Sequence, residues 1–503
     1  MAAILERINF STWVKEKLVF QKLSNPLGIA IIILLAIILG YTISKLSIIY
    51  SLLVLVGIVG LPVIFLSLVN QQVGVAVMLC IAFTLQLITK YTNAPIGTLM
   101  DSLVFLMLLI IFIKQIKERD WSFCRGPISV VVLMWIYYNL AQVLNPIALS
   151  KLAWLYTVRS VAGLLLFYFV CCYAFSTKER VFWAVKFVLF WLFVSALWGL
   201  KQEYIGMSDA EMKWLMSDKE RFQLMFQWTR FRIFSMFSDA TTFGIMMAYT
   251  CVWCIIIIAG PAKTFSKILA GIAFLSMLLT SAYSGTRTAY VLIPAGFLMW
   301  TMLAMNRNML LIIGFFMLIG TAAMMKSTSN ALIYRIQSAF KPTKDNSVLV
   351  RIKNQKFIQP YIQSHPIGFG LGSCGIWGKR FTPDSWLANF PHDSGYVRMA
   401  VELGWVGLIL NLIFLFVIMR TGIYYYFRVR DPMIKNIYLG LCVCIFCMIL
   451  ANYPQEAIIQ LPNSIVFYTM LAVLTRLKDF DTPITDGTII EVKNNQDNYK
   501  RGQ

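Results

Sequence analysis

Long, almost wholly apolar stretches recur from residue 27 to residue 475 of this chain, and that feature limits its fold more than any other. A helix of roughly 17–25 apolar residues crosses a bilayer. Inside hydrocarbon the backbone must satisfy its own hydrogen bonds, so each such stretch is a helix. Candidate spans fall at 27–43, 46–69, 73–89, 97–113, 127–144, 155–175, 182–200, 240–260, 264–281, 288–304, 308–325, 396–419, 435–451 and 459–475. Two of them are short enough to merge or re-enter, so about 12–14 spans are expected. Composition agrees: 59% of residues are hydrophobic, 13% are charged, and mean hydropathy is +0.72. The fold class expected is all-α, a polytopic transmembrane helix bundle with a large helical extracytoplasmic loop.

The short polar breaks carry charge unevenly. "KQIKERDWSFCR", "STKER", "AKTFSK", "NRN", "RTGIYYYFRVRDPMIK" and "RLKD" are basic, whereas the alternating "YTNAPIG", "NPIALSK" and "NYPQEAIIQLP" hold few cations. Positive short loops stay in the cytoplasm. The reading is therefore a cytoplasmic N-terminal segment (1–26), N-terminal spans (27–200), an outer loop (201–239), further spans (240–325), a large outer loop (326–395), C-terminal spans (396–475) and a cytoplasmic tail (476–503). Both termini are expected inside, and the polar first stretch does not read as a cleavable signal peptide.

The large loop is too long to be governed by the orientation rule. From Lys326 to Arg398, ten Lys and Arg residues nevertheless stand against Asp345, Asp384 and Asp393. Such a field suits an anionic headgroup or a diphosphate, or a solvated loop leaning on anionic lipid. Ten cysteines lie mostly in apolar runs such as "GLCVCIFCMIL" and read as small, inert hydrophobes.

Four stretches carry candidate chemistry. "TRFRIFSMFSDATTFG" sets Arg230 and Arg232 before a span opening at Asp239. "SAYSGTRTAY" puts Arg287 after a Ser/Gly/Thr break between spans, where it either snorkels to headgroups or grips a phosphate with its planar fork. "VRIKNQKFIQPYIQSHPIGFGLG" is an amphipathic stretch containing Arg351 that runs into a Gly-rich turn. "PHDSGYVRMAVELGWVG" contains His392 and Arg398 at the edge of a span. The chain has only two histidines, His365 and His392. A histidine changes charge near neutral pH, so His392 fits a proton-transfer role; a structural cap on the following helix, with Asp393 or Ser394, fits equally. No Asp-x-Asp or His-x-x-x-His pattern suggests a metal site, and no metal or other cofactor is expected.

Taken in order, Arg-x-x-Ser-x-Phe from Arg232, Ser-Gly-Thr-Arg at 284–287, Arg351 with "HPIGFGLG", and His-Asp-Ser-Gly-Tyr at 392–396 with "AVELGWVGL" resemble the O-antigen ligase and polysaccharide polymerase superfamily. The run "GKRFTPDSWLANF" has no counterpart in that pattern. The resemblance covers Arg230 to Leu410. It implies a metal-independent membrane glycosyltransferase acting at the outer face of a bacterial cytoplasmic membrane. The implied donor is a polyprenyl-diphosphate-linked glycan, and the acceptor a hydroxyl on lipid A core or on a growing glycan. By position it implies His392 as the reactive histidine and Arg232, Arg287 and Arg351 as the recurring arginines; Arg398 joins them as a candidate for binding substrate. Membrane lipids are the other expected partners, and nucleic acid is not. The rival class is a polysaccharide or lipid transporter or flippase, which matched inverted repeats would favour.

Overall fold

The computed structural model describes residues 26, 60, 62–91, 97–227, 230–305, 314, 346–392 and 394–481. The chain divides into two units at Val69 and Asn70. In the first, residues 62–69 form a helix. The expected span at 27–43, all of 308–325 but residue 314, most of 46–69, the loop stretch 326–345 and the tail beyond 481 lie outside the described residues.

The second unit is a helix bundle, as the apolar periodicity requires. Among the described residues, ten helices are long and apolar enough to cross a membrane. They are α1 (Gln71–Tyr91), α2 (Gly97–Glu118), α3 (Pro127–Leu144), α4 (Lys151–Ala174), α5 (Lys178–Tyr204), α8 (Ala240–Ala259), α9 (Thr264–Tyr283), α10 (Arg287–Ala304), α14 (Gly395–Arg428) and α15 (Pro432–Ala451). The last expected span is the shorter α16 (Asn463–Arg476). Short helices α6 (Asp209–Met216) and α7 (Lys219–Met225) fill the 201–239 segment, and α11 (Asn346–Ser364), α12 (Gly375–Phe381) and α13 (Trp386–Asn389) fill the described part of the large loop. Strand pairing among the described residues is limited to an antiparallel ribbon of Phe226–Gln227 with Arg230–Phe231. The all-α expectation holds.

Most buried of the long helices is α8, which packs against α9, α10 and α15. Its one glycine and that of α15 allow close approach: a Cβ on Gly440 would overlap the Trp253 indole, and one on Gly244 would overlap Ser284. Small residues at helix contacts are the usual means of packing in lipid, where apolar burial alone does not drive helices together. All ten cysteines are free, and eight are buried.

The helices alternate direction, so their connections gather at two ends. At one end Lys178 pairs with Asp431, Arg476 Nε donates to Phe175 O (3.2 Å), and Asp431 N donates to Asp481 Oδ1 (2.9 Å). At the other end Tyr91 meets Ser208, Asn145 donates to Ile367 O and Gly368 O, and Gly395 N donates to Asn452 O. Every basic short loop described falls at the first end, and both long polar segments fall at the second.

Two glycine-rich stretches that lie apart in sequence are packed together at this second end. Gly404 interrupts α14 with φ +71°, and Gly368 in the turn after α11 has φ +73°. The helical ladder opens there, and the backbone groups it would leave unpaired are taken up: Phe369 N donates to Val401 O and Gly370 N to Glu402 O, both at 3.0 Å, while Val406 N donates to Pro366 O at 3.2 Å. Side chains at Gly368 or Gly404 would run into the opposing backbone, which explains why "HPIGFGLG" and "AVELGWVG" both need glycine. This clasp fixes the start of α14 against the large loop.

Candidate active site

Ser394 caps α14, accepting from Val397 N. His392 stands just before it and is not the cap. The loop 452–462, between α15 and α16, runs alongside: Gly395 is pressed against Asn452, and Tyr396 OH donates to Ile449 O at 2.9 Å. That packing carries Glu456 to the imidazole. His392 Nε2 lies 2.8 Å from Glu456 Oε1, and Arg398 donates from Nη1 to Glu456 Oε2 at 2.6 Å and from Nε to Glu402 Oε1 at 3.1 Å. The backbone amide of Cys374 also reaches Glu402, at 3.4 Å.

Burial pushes the Glu456 carboxyl up, but the hydrogen bond with His392 and the Arg398 charge outweigh it and hold the group at about 2. Glu456 is thus an acceptor only, and Nε2 of His392 must donate to it. Nδ1 lies 3.3 Å from Phe390 O, longer than the usual ~2.7–3.2 Å of such a bond.

A cavity of about 310 Å³ opens beside this pair, lined by Gly375, Lys379, Phe390, His392, Glu456 and Gln460 among others. Gly375, with φ +67°, keeps the space over His392 Cε1 and the Arg398 guanidinium free of a side chain. Lys379 comes from α12, in the run "GKRFTPDSWLANF". Gln460 hydrogen-bonds Thr242, which donates to Asp239 at 2.8 Å; Asp239 caps α8 by accepting from Thr241 N and Thr242 N.

Arg232 joins the same polar layer. Its Nε donates to Ser284 O at 2.8 Å, and its Nη2 reaches Thr286 Oγ1 at 3.1 Å and Thr241 Oγ1 at 3.3 Å. The 284–286 turn, with Gly285 at φ +61°, ends α9 and presents Arg287 as the first residue of α10. Arg351 lies on the face of α11 that also carries Asn354 and Ile358. Ile358 packs on Cys374, Leu387 and Val401, and Asn354 Nδ2 reaches Pro391 O at 3.4 Å. Arg351 Nε is buried without a hydrogen-bond partner.

The structure brings His392 and Arg398 together on Glu456, places Arg351 one helical turn from the Asn354 that reaches Pro391 O, and connects Arg232 to the cavity wall by hydrogen bonds. His365 is elsewhere. Its Nδ1 lies 2.9 Å from Tyr361 O and its ring stacks on Phe369, at the outside of the glycine clasp. The sequence reading missed Glu456 and Lys379. Glu456 is the lone acid in an outer loop read only for its lack of cations, and Lys379 was one of ten loop cations with nothing to single it out. Among the described residues no three His, Cys, Asp or Glu side chains gather as a metal site would require.

Residues 272–412 match the family model described as O-antigen ligase. The matched segment runs from within α9 to the first half of α14 and contains Arg287, Arg351, His392 and Arg398; Arg232 and Glu456 lie outside it. A search of curated proteins gives no match. The match supports an O-antigen ligase-like membrane glycosyltransferase in general, with lipid-linked glycan and acceptor as its general substrates.

Proposed function

We propose that the chain, whose residues 272–412 match the O-antigen ligase family model, moves a glycan from a polyprenyl diphosphate to an acceptor sugar hydroxyl at the outer face of the cytoplasmic membrane. The observation that carries this reading is the His392–Glu456 pair at the wall of a cavity that Lys379 also lines. Glu456 fixes the tautomer and orientation of the imidazole, and Nδ1 takes the proton of the acceptor hydroxyl. The hydroxyl oxygen attacks the anomeric carbon as the bond from that carbon to the diphosphate oxygen breaks. The bonding pair leaves with the polyprenyl diphosphate, and the configuration inverts.

Charge builds on the departing diphosphate, and fixed cations stabilise it without needing to reorganise. Arg287, Arg351 and Lys379 are the groups proposed to meet it. Arg232 and Arg398 act through others: Arg232 holds the turn that presents Arg287, and Arg398 holds Glu456. With Arg287, Arg351 and Lys379 in place of a metal ion, transfer is expected to need none. The acceptor is lipid A core or a second glycan.

The test is transfer by the purified protein from a lipid-linked glycan, with and without EDTA. Transfer that survives the chelator, and falls strongly in Arg287→Lys because the two-pronged fork is lost, supports the reading. Activity abolished by EDTA and restored by a divalent ion overturns the arginine-for-metal assignment.

A further inference from the structure

The cavity beside His392 sits at the low end of the ~300–1,000 Å³ typical of small-molecule sites, so a glycan longer than its reacting sugars must extend out of it. One exit is aromatic. Phe390, which lines the cavity, stacks on Phe357 with ring centroids 6.0 Å apart and meets Trp386 edge-on at 6.1 Å. Tyr361 packs on Trp386 at 4.9 Å and on Phe357 at 5.9 Å. Exposure of these three rings is high, at 54% for Phe357, 43% for Trp386 and 40% for Tyr361. Their footing is rigid, because Ile358 and Leu387 beside them in sequence are 1% exposed in the loop's own small core. Polar groups flank these rings in sequence: Lys353, Lys356, Asp384 and Asn389 are exposed, and Asn389 also lines the cavity.

We propose that Phe357, Tyr361 and Trp386 form a platform on which sugar rings of the bound glycan stack as the chain leaves the cavity. The inference rests on the transferase reading above. Rigid rings give contact area at little entropic cost, and their faces accept the apolar C–H faces of sugars while Asp384 and Asn389 take up hydroxyls. Continuity with the cavity through Phe390 selects this occupant. The platform sets which glycan lengths are held well, which makes it a specificity surface.

The experiment uses the full chain in nanodiscs and lipid-linked glycans carrying one or several repeats. In Phe357→Ala and Trp386→Ala, KM for the multi-repeat substrate should rise roughly 5–10-fold while kcat changes less than twofold and the single-repeat substrate is unaffected. Equal losses on both substrates, or no change on either, overturn the platform. A second arm needs no turnover: oligosaccharides released by mild acid from the cells' own lipid-linked pool are titrated by saturation-transfer NMR. Binding to the parent protein that weakens in the two variants supports the platform; binding that does not weaken counts against it. If the parent binds but never transfers, the transferase reading fails and the platform stands. If brominated lipids quench fluorescence that is lost in Trp386→Phe, the rings lie in the bilayer and the platform is wrong.

Discussion

At the scale of single residues, the charge on Glu456 is what holds the imidazole in place. Its carboxylate sits largely out of water, so without partners it would be held neutral; His392 and Arg398 supply those partners from the first turn of α14 and the residues just before it. Glu456→Gln keeps a hydrogen-bond acceptor but removes the charge. A charge-assisted bond contributes about 1.5–3 kcal/mol, so transfer should fall roughly 10–100-fold while the protein still inserts and binds donor. Unchanged kcat/KM in that variant would remove Glu456 from the mechanism. The same pair makes a stability prediction. Because folding lowers this carboxyl from 4.5 to about 2, its stabilisation is complete above the ordinary carboxylate range and is lost as pH falls from about 4.5 towards 2. Thermal unfolding followed between pH 6 and pH 2.5 should show the parent protein losing an advantage over Glu456→Gln within that window; parallel curves would contradict it.

At the scale of elements, the glycine clasp between the turn after α11 and the break in α14 does the positioning. Gly404→Ala demands a left-handed alanine and drives a methyl group into Pro366, for a cost of about 1–3 kcal/mol or more. Gly271 in α9 has open space around its Cα, and Gly271→Ala should be neutral or mildly stabilising, by about 0.4–1 kcal/mol. Melting temperatures of the two variants test this, and equal effects would mean that the clasp carries no strain-sensitive load. The clasp also shows where sequence reasoning stops. Helix starts at Asp239 and Ser394 were legible because caps are local, and the spans were legible because apolar runs are local. The contact between Gly368 and Gly404 is not local: each stretch reads alone as a turn or a helix. Glu456 escaped for the same reason, since the loop that delivers it to His392 lies across a whole helical hairpin. The run "GKRFTPDSWLANF" matched no motif, yet it supplies Lys379 and Trp386.

At the scale of the whole molecule, alternating helices separate two polar ends, one carrying the short basic loops and the other the candidate site. Reporter fusions near residues 122 and 430 should report cytoplasm, and fusions near 220 and 370 the outside. A cytoplasmic signal at 370 would put the site in the wrong compartment for a polyprenyl-linked donor displayed outside. Within that frame the central claim is that His392 accepts a proton from the acceptor hydroxyl, and the pH dependence of transfer by His392 variants tests it most directly. The parent rate should rise with pH, because a base must be unprotonated to accept a proton. His392→Ala and His392→Gln, neither of which has a titrating proton, should lose that rise together with about 10²–10⁴-fold in rate. Near-full activity in His392→Gln, with the pH profile unchanged, would show that His392 only orients substrate and would contradict the assignment.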